Sequence, residues 1–218
     1  MEYAFHVYNK LSIDGLSTAV DHLLRADLEK KLTPRALLED KSAYTPNRAF
    51  LRKFDGNLHK PPVVVCIGSD LAIGDSLGPI VGSLLQQKTR SLPVFIYGTL
   101  SCPITAKEIK YLRTLLKETH AGSQIIAVDA AVGLGEDVGL IKAIDCPLSP
   151  GAGANKKLGT IGDLSIMGIV AERSTLNYAL LNTTRLNLVY SMAERIADAL
   201  SNLIYNRYDL CKLQAEND

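Results

Sequence analysis

From Pro62 onward, short continuous runs of β-branched and apolar residues alternate with segments whose apolar positions recur every three or four residues. Continuous runs suit strands buried on both faces, and the longer spacing suits helices with a single buried stripe. The pattern predicts strands over 63–67, 93–98, 124–129, 139–145 and 164–171. After the first, Leu77, Ile80, Val81, Leu84 and Leu85 mark a helix, with Pro79 in the first turn, where its missing N–H leaves no helical bond unmade. A second helix follows Thr105-Ala106-Lys107-Glu108, the spacing of a capping box, and buries Ile109, Leu112, Leu115 and Leu116. The last carries Leu186, Val189, Tyr190, Ala193, Ile196, Ala197, Leu200, Leu203 and Ile204 on one stripe. Such alternation predicts an α/β fold with three α/β/α layers and a mostly parallel sheet.

Residues 1–60 read differently. Leu16, Ala19, Val20, Leu23, Leu24 and Leu28 trace an amphipathic helix over 16–32 that ends at Thr33-Pro34, and the polar, turn-rich stretch 42–60 reads as a linker. The expected organisation is an N-terminal helical extension and linker (1–60), an α/β domain (61–208) and a polar C-terminal tail (209–218). The apolar stripe favours a helix packed on the core over a removable pro-segment.

Composition narrows the class. The 218 residues are 47% hydrophobic and 22% charged, with a net charge of +1, which lacks the basic footprint of nucleic-acid binding. No apolar run approaches the roughly 20 residues of a membrane span, and the N-terminus has no secretory pattern, so a cytoplasmic protein is expected. Cys66, Cys102, Cys146 and Cys211 stand singly, without the spacing of a zinc site, and read as reduced thiols.

The chemistry concentrates where strands run into turns. The segment from Val63 to Pro79 carries a buried strand into a small-residue turn and then a helix, and places Asp75 at the helix mouth. An Asp there serves as an N-cap or as a working acid in the crevice at the strand ends. Asp129 closes the run Ile125-Ile126-Ala127-Val128-Asp129 and is followed by Ala130-Ala131, pointing to the same crevice, although a lone Asp in such a place is often a turn former. Gly74, Gly78 and Gly82, four apart, imply close approach of backbone.

Other motifs fail on their partners. Gly74-Asp75-Ser76-Leu77-Gly78 has the form G-x-S-x-G and contains the GDSL tetrapeptide of a lipase family, but no His follows His120 to act as base for Ser76. Gly133-Leu134-Gly135 lacks the third glycine of a dinucleotide loop, and Gly151-Ala152-Gly153 lacks the Lys-Ser/Thr spacing of a phosphate loop. His120 reads as a cation at a helix C-terminus, and its pairing with Cys102 is not supported.

An ordered set of motifs carries a resemblance: Ile67-Gly68-Ser69-Asp70, Gly74 to Pro79, Ala127-Val128-Asp129-Ala130, Pro150 to Gly153, Ile161 to Ile166 with Gly168-Ile169-Val170, and Asn182 to Leu186. Together they resemble the sporulation protein YyaC family, labelled a spore protease, of endospore-forming bacteria. That family is more distantly similar to germination protease and to the hydrogenase-maturation endopeptidases. The resemblance implies a hydrogenase-maturation-endopeptidase-like fold with its site at the strand C-termini. It aligns Asp75 with the Asp of germination protease's Asp-x-Leu-Gly-Pro motif and Asp129 with the Asp of its Val-Asp-Ala motif, both regarded as working acids. Hydrogenase-maturation relatives complete a nickel site with a later His, which this sequence lacks.

The resulting expectation is a peptidase of the sporulating cell or forespore, acting on a protein or peptide, with Asp75 ionised and Asp129 holding a shared proton. No metal or other cofactor is called for, and self-association is left open. Ser69, Asp70, Asp163 and Ser165 are candidates for orienting water or substrate, against a turn-forming alternative for each. Two other classes stay open: a peptidase-like fold used for binding or assembly, and an endopeptidase with a divalent metal between the two Asp side chains.

Overall fold

In a computed structural model of the chain, residues 1–32, 60–150, 159–173 and 184–215 are described. The expected linker up to His59, and Gly151 to Gly153 of the Gly-rich loop, lie outside these residues. The elements run β1 (Glu2–His6), α1 (Ser12–Leu32), β2 (Val63–Cys66), a 3-10 turn (Gly74–Ser76), α2 (Leu77–Lys88), β3 (Phe95–Tyr97), α3 (Ile109–Thr119), β4 (Ile125–Gly133), a second 3-10 turn (Gly135–Asp137), β5 (Leu140–Ile144), β6 (Leu164–Glu172) and α4 (Leu186–Ala215).

Six strands form one sheet in the order β1-β5-β6-β4-β2-β3. Strands β6, β4, β2 and β3 are parallel, whereas β5 runs against both β1 and β6, so the sheet is mixed. The six residues joining β4 to β5 are too few for a parallel crossover, which takes a dozen or more. Strand β1 was not predicted: Glu2-Tyr3-Ala4-Phe5-His6 alternates exposed with partly buried positions, the weak pattern of an edge strand. The described part of the N-terminal extension thus supplies a sheet strand as well as a helix. At the other end, α4 continues through Ala215, past residue 208, where a polar tail was expected to begin.

Both faces of the sheet are covered. Helices α1, α2 and α4 pack on one face over Val64, Cys66, Ile126, Val128, Ile141 and Ile166, with Leu16, Leu23, Leu85, Met192 and Ile196 fully buried between them. Helix α3 covers the other face, where Ile109, Leu112 and Leu116 meet Val63, Val65, Ile67 and Ala127. Burial of each large apolar side chain contributes roughly 1.5–3 kcal/mol. Because successive strand residues point to opposite faces, the run Val63-Val64-Val65-Cys66 feeds both cores. Leu115, Leu186 and Tyr190, expected in buried stripes, are instead 41%, 57% and 44% exposed. No helix among the described residues is long and apolar enough to cross a membrane.

Two further expectations change in detail. The Thr105–Glu108 box is half made: the Glu108 carboxylate accepts the Thr105 N–H at 2.9 Å, but it also takes the Thr105 hydroxyl, at 2.5 Å. His120 follows α3 as its C-cap, yet its ring is buried against Phe95 and its Nε2 lies 2.7 Å from the Tyr97 hydroxyl. It fastens α3 to β3 instead of standing as a solvated cation at the helix end.

Candidate active site

The site forms where β2 stops and β4 continues. Cys66 pairs with Val128, and the Ile67 N–H still reaches the Val128 carbonyl at 2.8 Å, but β2 then turns away. Asp129 is therefore the first β4 residue past the end of β2. It is not the last residue of its own strand, as predicted, because β4 runs on beside β6 to Gly133, with an irregularity between Ala131 and Val132. The run of small residues after Asp129 hides this continuation from hydrophobic patterning.

The chain leaving β2 folds back so that the 3-10 turn of Asp75 packs against β4. Close backbone contacts fix this return. Gly68 has φ +142°, and a Cβ on it would lie 2.0 Å from the Asp75 carbonyl oxygen, which accepts the Ser69 N–H at 3.1 Å. A Cβ on Gly78 would lie 2.0 Å from the Ile67 carbonyl oxygen, so α2 starts directly against the end of β2. The glycine spacing thus serves helix-on-sheet packing, which also positions Asp75.

Asp75 does not cap α2. Ser76 occupies the N-cap position, and neither the 3-10 turn nor α2 has a side-chain cap hydrogen bond. The Ser76 hydroxyl is also unsuited to a nucleophile's role, being buried and donated to the Ile73 carbonyl at 2.6 Å.

The carboxyls of Asp75 and Asp129 are both partly buried and electrostatically coupled. Burial first, and the negative charge of Asp75 second, push Asp129 up to about 8. The Ala130 N–H, donated to Asp129 Oδ1 at 2.8 Å, opposes that rise by favouring the anion. Asp75 also lies above the usual carboxylate value because of burial, with the Ser69 backbone N–H holding it down. Burial thus favours the protonated form of both acids, and the neighbouring negative charge favours it further for Asp129.

The remaining candidates do not gather around the pair. Ser69 lies beside Asp75 in the loop after β2, where its Oγ accepts the Leu71 N–H at 3.2 Å, and Asp70 in that loop is exposed. Asp163 lies at the opposite strand ends, just before β6, where its carboxylate accepts the Ile125 N–H at 2.7 Å and meets Lys31 Nζ at 2.6 Å. Ser165 is buried and pairs with Ala127, one side-chain layer below Asp129. Asp163 therefore ties α1 and the start of β4 to β6, away from the acid pair. Gly68 and Gly98 (φ +90°) are required by the close approach of β2, α2 and β3, which no local sequence pattern reveals. Among the described residues, no group of three or more His, Cys, Asp or Glu side chains gathers as a metal site. The pair itself offers oxygen ligands only.

A family profile described as "Protein of unknown function (DUF1256)" matches residues 35–199. "Uncharacterized protein YyaC" of Bacillus subtilis (strain 168) is 46% identical over 151 residues, covering 69% of this chain and 72% of that protein. Among solved structures, the NiFe hydrogenase maturation protease HycI from Thermococcus kodakarensis KOD1 aligns with 67% of this chain and 93% of its own, at a TM-score of 0.38 and 16% identity, a likeness that carries no functional argument. The chain belongs to the DUF1256 family and is related to YyaC over two thirds of its length.

Proposed function

We propose that this protein is a peptidase of the sporulating cell that hydrolyses a peptide bond in a protein or peptide substrate with the Asp75/Asp129 pair. The observation that carries the reading is the meeting of the two acids where β2 ends: the turn of Asp75 packs against β4, and burial together with the Asp75 charge pushes the Asp129 carboxyl up to about 8. Shared protonation of two close acids allows one to act as acid while the other acts as base, without a histidine.

In the proposed reaction, protonated Asp129 hydrogen-bonds the scissile carbonyl oxygen while ionised Asp75 removes a proton from the attacking water. The carbonyl oxygen takes the Asp129 proton as the new C–O bond forms. Collapse of the tetrahedral intermediate returns that proton to Asp129, and the proton held by Asp75 passes to the departing amine. Both acids return to their starting states, with one water consumed.

Exposed apolar residues support a peptide-sized substrate. Leu71 (91% exposed) follows β2, Leu100 follows β3 and Leu134 follows β4, all in loops at the C-terminal ends of these parallel strands. Large exposed apolar side chains on several loops at the same strand ends suit the side chains of an extended polypeptide.

The direct test incubates purified protein with spore-protein extract and identifies new termini by mass spectrometry. Termini that appear with the parent chain and vanish with Asp129→Asn support the reading. Identical terminus sets with and without the parent protein refute it.

A further inference from the structure

A cavity of about 710 Å³ opens at the opposite strand ends from the acid pair, between α1, α3, the 120–125 loop and residues 160–163. Its volume falls within the range of small-molecule sites, about 300–1,000 Å³. Leu28, Leu116 and Ile161 give it apolar walls, while Arg25, Lys31, Arg113 and Lys117 bring four cationic side chains to its lining.

Those four cations are not equivalent. Arg25 is paired with Asp21 at 2.6 Å, and Lys31 with Asp27 at 2.9 Å and Asp163 at 2.6 Å. Arg113 and Lys117 have no carboxylate within ion-pair distance among the described residues, and as i and i+4 on α3 they share one helix face. The Arg113 guanidinium lies close over Gly159: a Cβ on that residue (φ +79°) would lie 2.2 Å from its Nη1, so the bare Gly159 backbone leaves room for it. Ser123 and Thr160 in the same wall add hydroxyl donors, and Glu29 is an opposing acid. A guanidinium and an ammonium four residues apart, beside hydroxyls and an apolar wall, match an anionic head on an apolar body.

We propose that this cavity binds a small organic anion, its phosphate or carboxylate held by Arg113 and Lys117 and its apolar body packed against Leu28, Leu116 and Ile161. The site is separate from the acid pair and does not depend on peptidase activity.

The probes are 1-naphthyl phosphate and 1-naphthoate, with 1-naphthol as the neutral control, titrated into the full chain by calorimetry and amide NMR. The expected result is saturable binding of at least one anion, with shifts at Gly122–Gln124 and Thr160–Gly162. The Arg113→Gln/Lys117→Gln variant should bind about tenfold or more weakly, consistent with losing hydrogen bonds to a charged group. Glu29→Gln should bind more tightly. Phosphate and carboxylate probes report which head group is preferred. Naphthol binding as tightly as the anions, unchanged affinity in the double variant, shifts confined to the strand ends near Asp75, or no saturable binding of either anion would each overturn the proposal. The NMR map on the parent chain stands even if the double variant folds poorly.

Discussion

A methyl group placed on Gly68 would lie 2.0 Å from the carbonyl oxygen of Asp75, seven residues further along the chain. That contact closes the loop between β2 and α2 and presses the turn of one acid against the strand of the other. Gly68→Ala should therefore destabilise the protein by about 1–3 kcal/mol or more, since neither the φ of +142° nor the backbone contact tolerates a side chain. It should also reduce cleavage by the surviving folded fraction, because Asp75 must shift. Thermal melts and activity at a temperature where the variant is folded check both effects. Parent-like values in both would show that the loop relaxes without moving Asp75.

Asp75→Asn and Asp129→Asn should each lower peptide cleavage by ~10²–10⁴-fold while leaving the circular-dichroism spectrum unchanged. Asp75→Asn should also lower the pKa of Asp129 from about 8, because it removes the second cause of the rise. The value should stay above the ordinary Asp range, since burial is the larger cause. Carboxyl-carbon NMR titration measures this, and an unmoved Asp129 would mean that the two acids do not sense one another.

The raised acid fixes the sign of a stability dependence on pH. An acid whose folded-state pKa exceeds its unfolded value holds its proton more tightly in the native state. Stability therefore falls as pH rises from the ordinary Asp range through about 8. Asp75, also raised, acts in the same direction. Melting midpoints of the parent should fall across that interval, and Asp129→Asn should flatten the decline. Activity should be bell-shaped, failing on the acid side as Asp75 protonates and on the alkaline side above about 8 as Asp129 ionises.

Asp163→Ala should destabilise the fold without altering the chemistry. It removes the acceptor of the Ile125 N–H at the partly buried start of β4, and it takes one partner from Lys31. The expected loss is about 1–3 kcal/mol. At a temperature where the variant is folded, kcat/KM should match the parent. A raised KM with unchanged stability would return Asp163 to a substrate-binding role.

The residue pattern alone determined the α/β class, five of the six strands, all four described helices and the two acids worth following. Buried strands and amphipathic helices impose local periodicities, and these are visible without coordinates. Strand β1 escaped because an edge strand half open to solvent carries few strongly apolar residues. Asp75 and Asp163 look alike as text, each an Asp beside a glycine near a sheet strand. Tertiary structure separated them, since the end of a sheet on which a residue falls depends on strand direction, and it alone brought Asp75 against β4 while giving Asp163 to Lys31 and Ile125. Burial and like-charge proximity, which set the protonation of the pair, arise only between segments distant in sequence, so no local pattern can encode them.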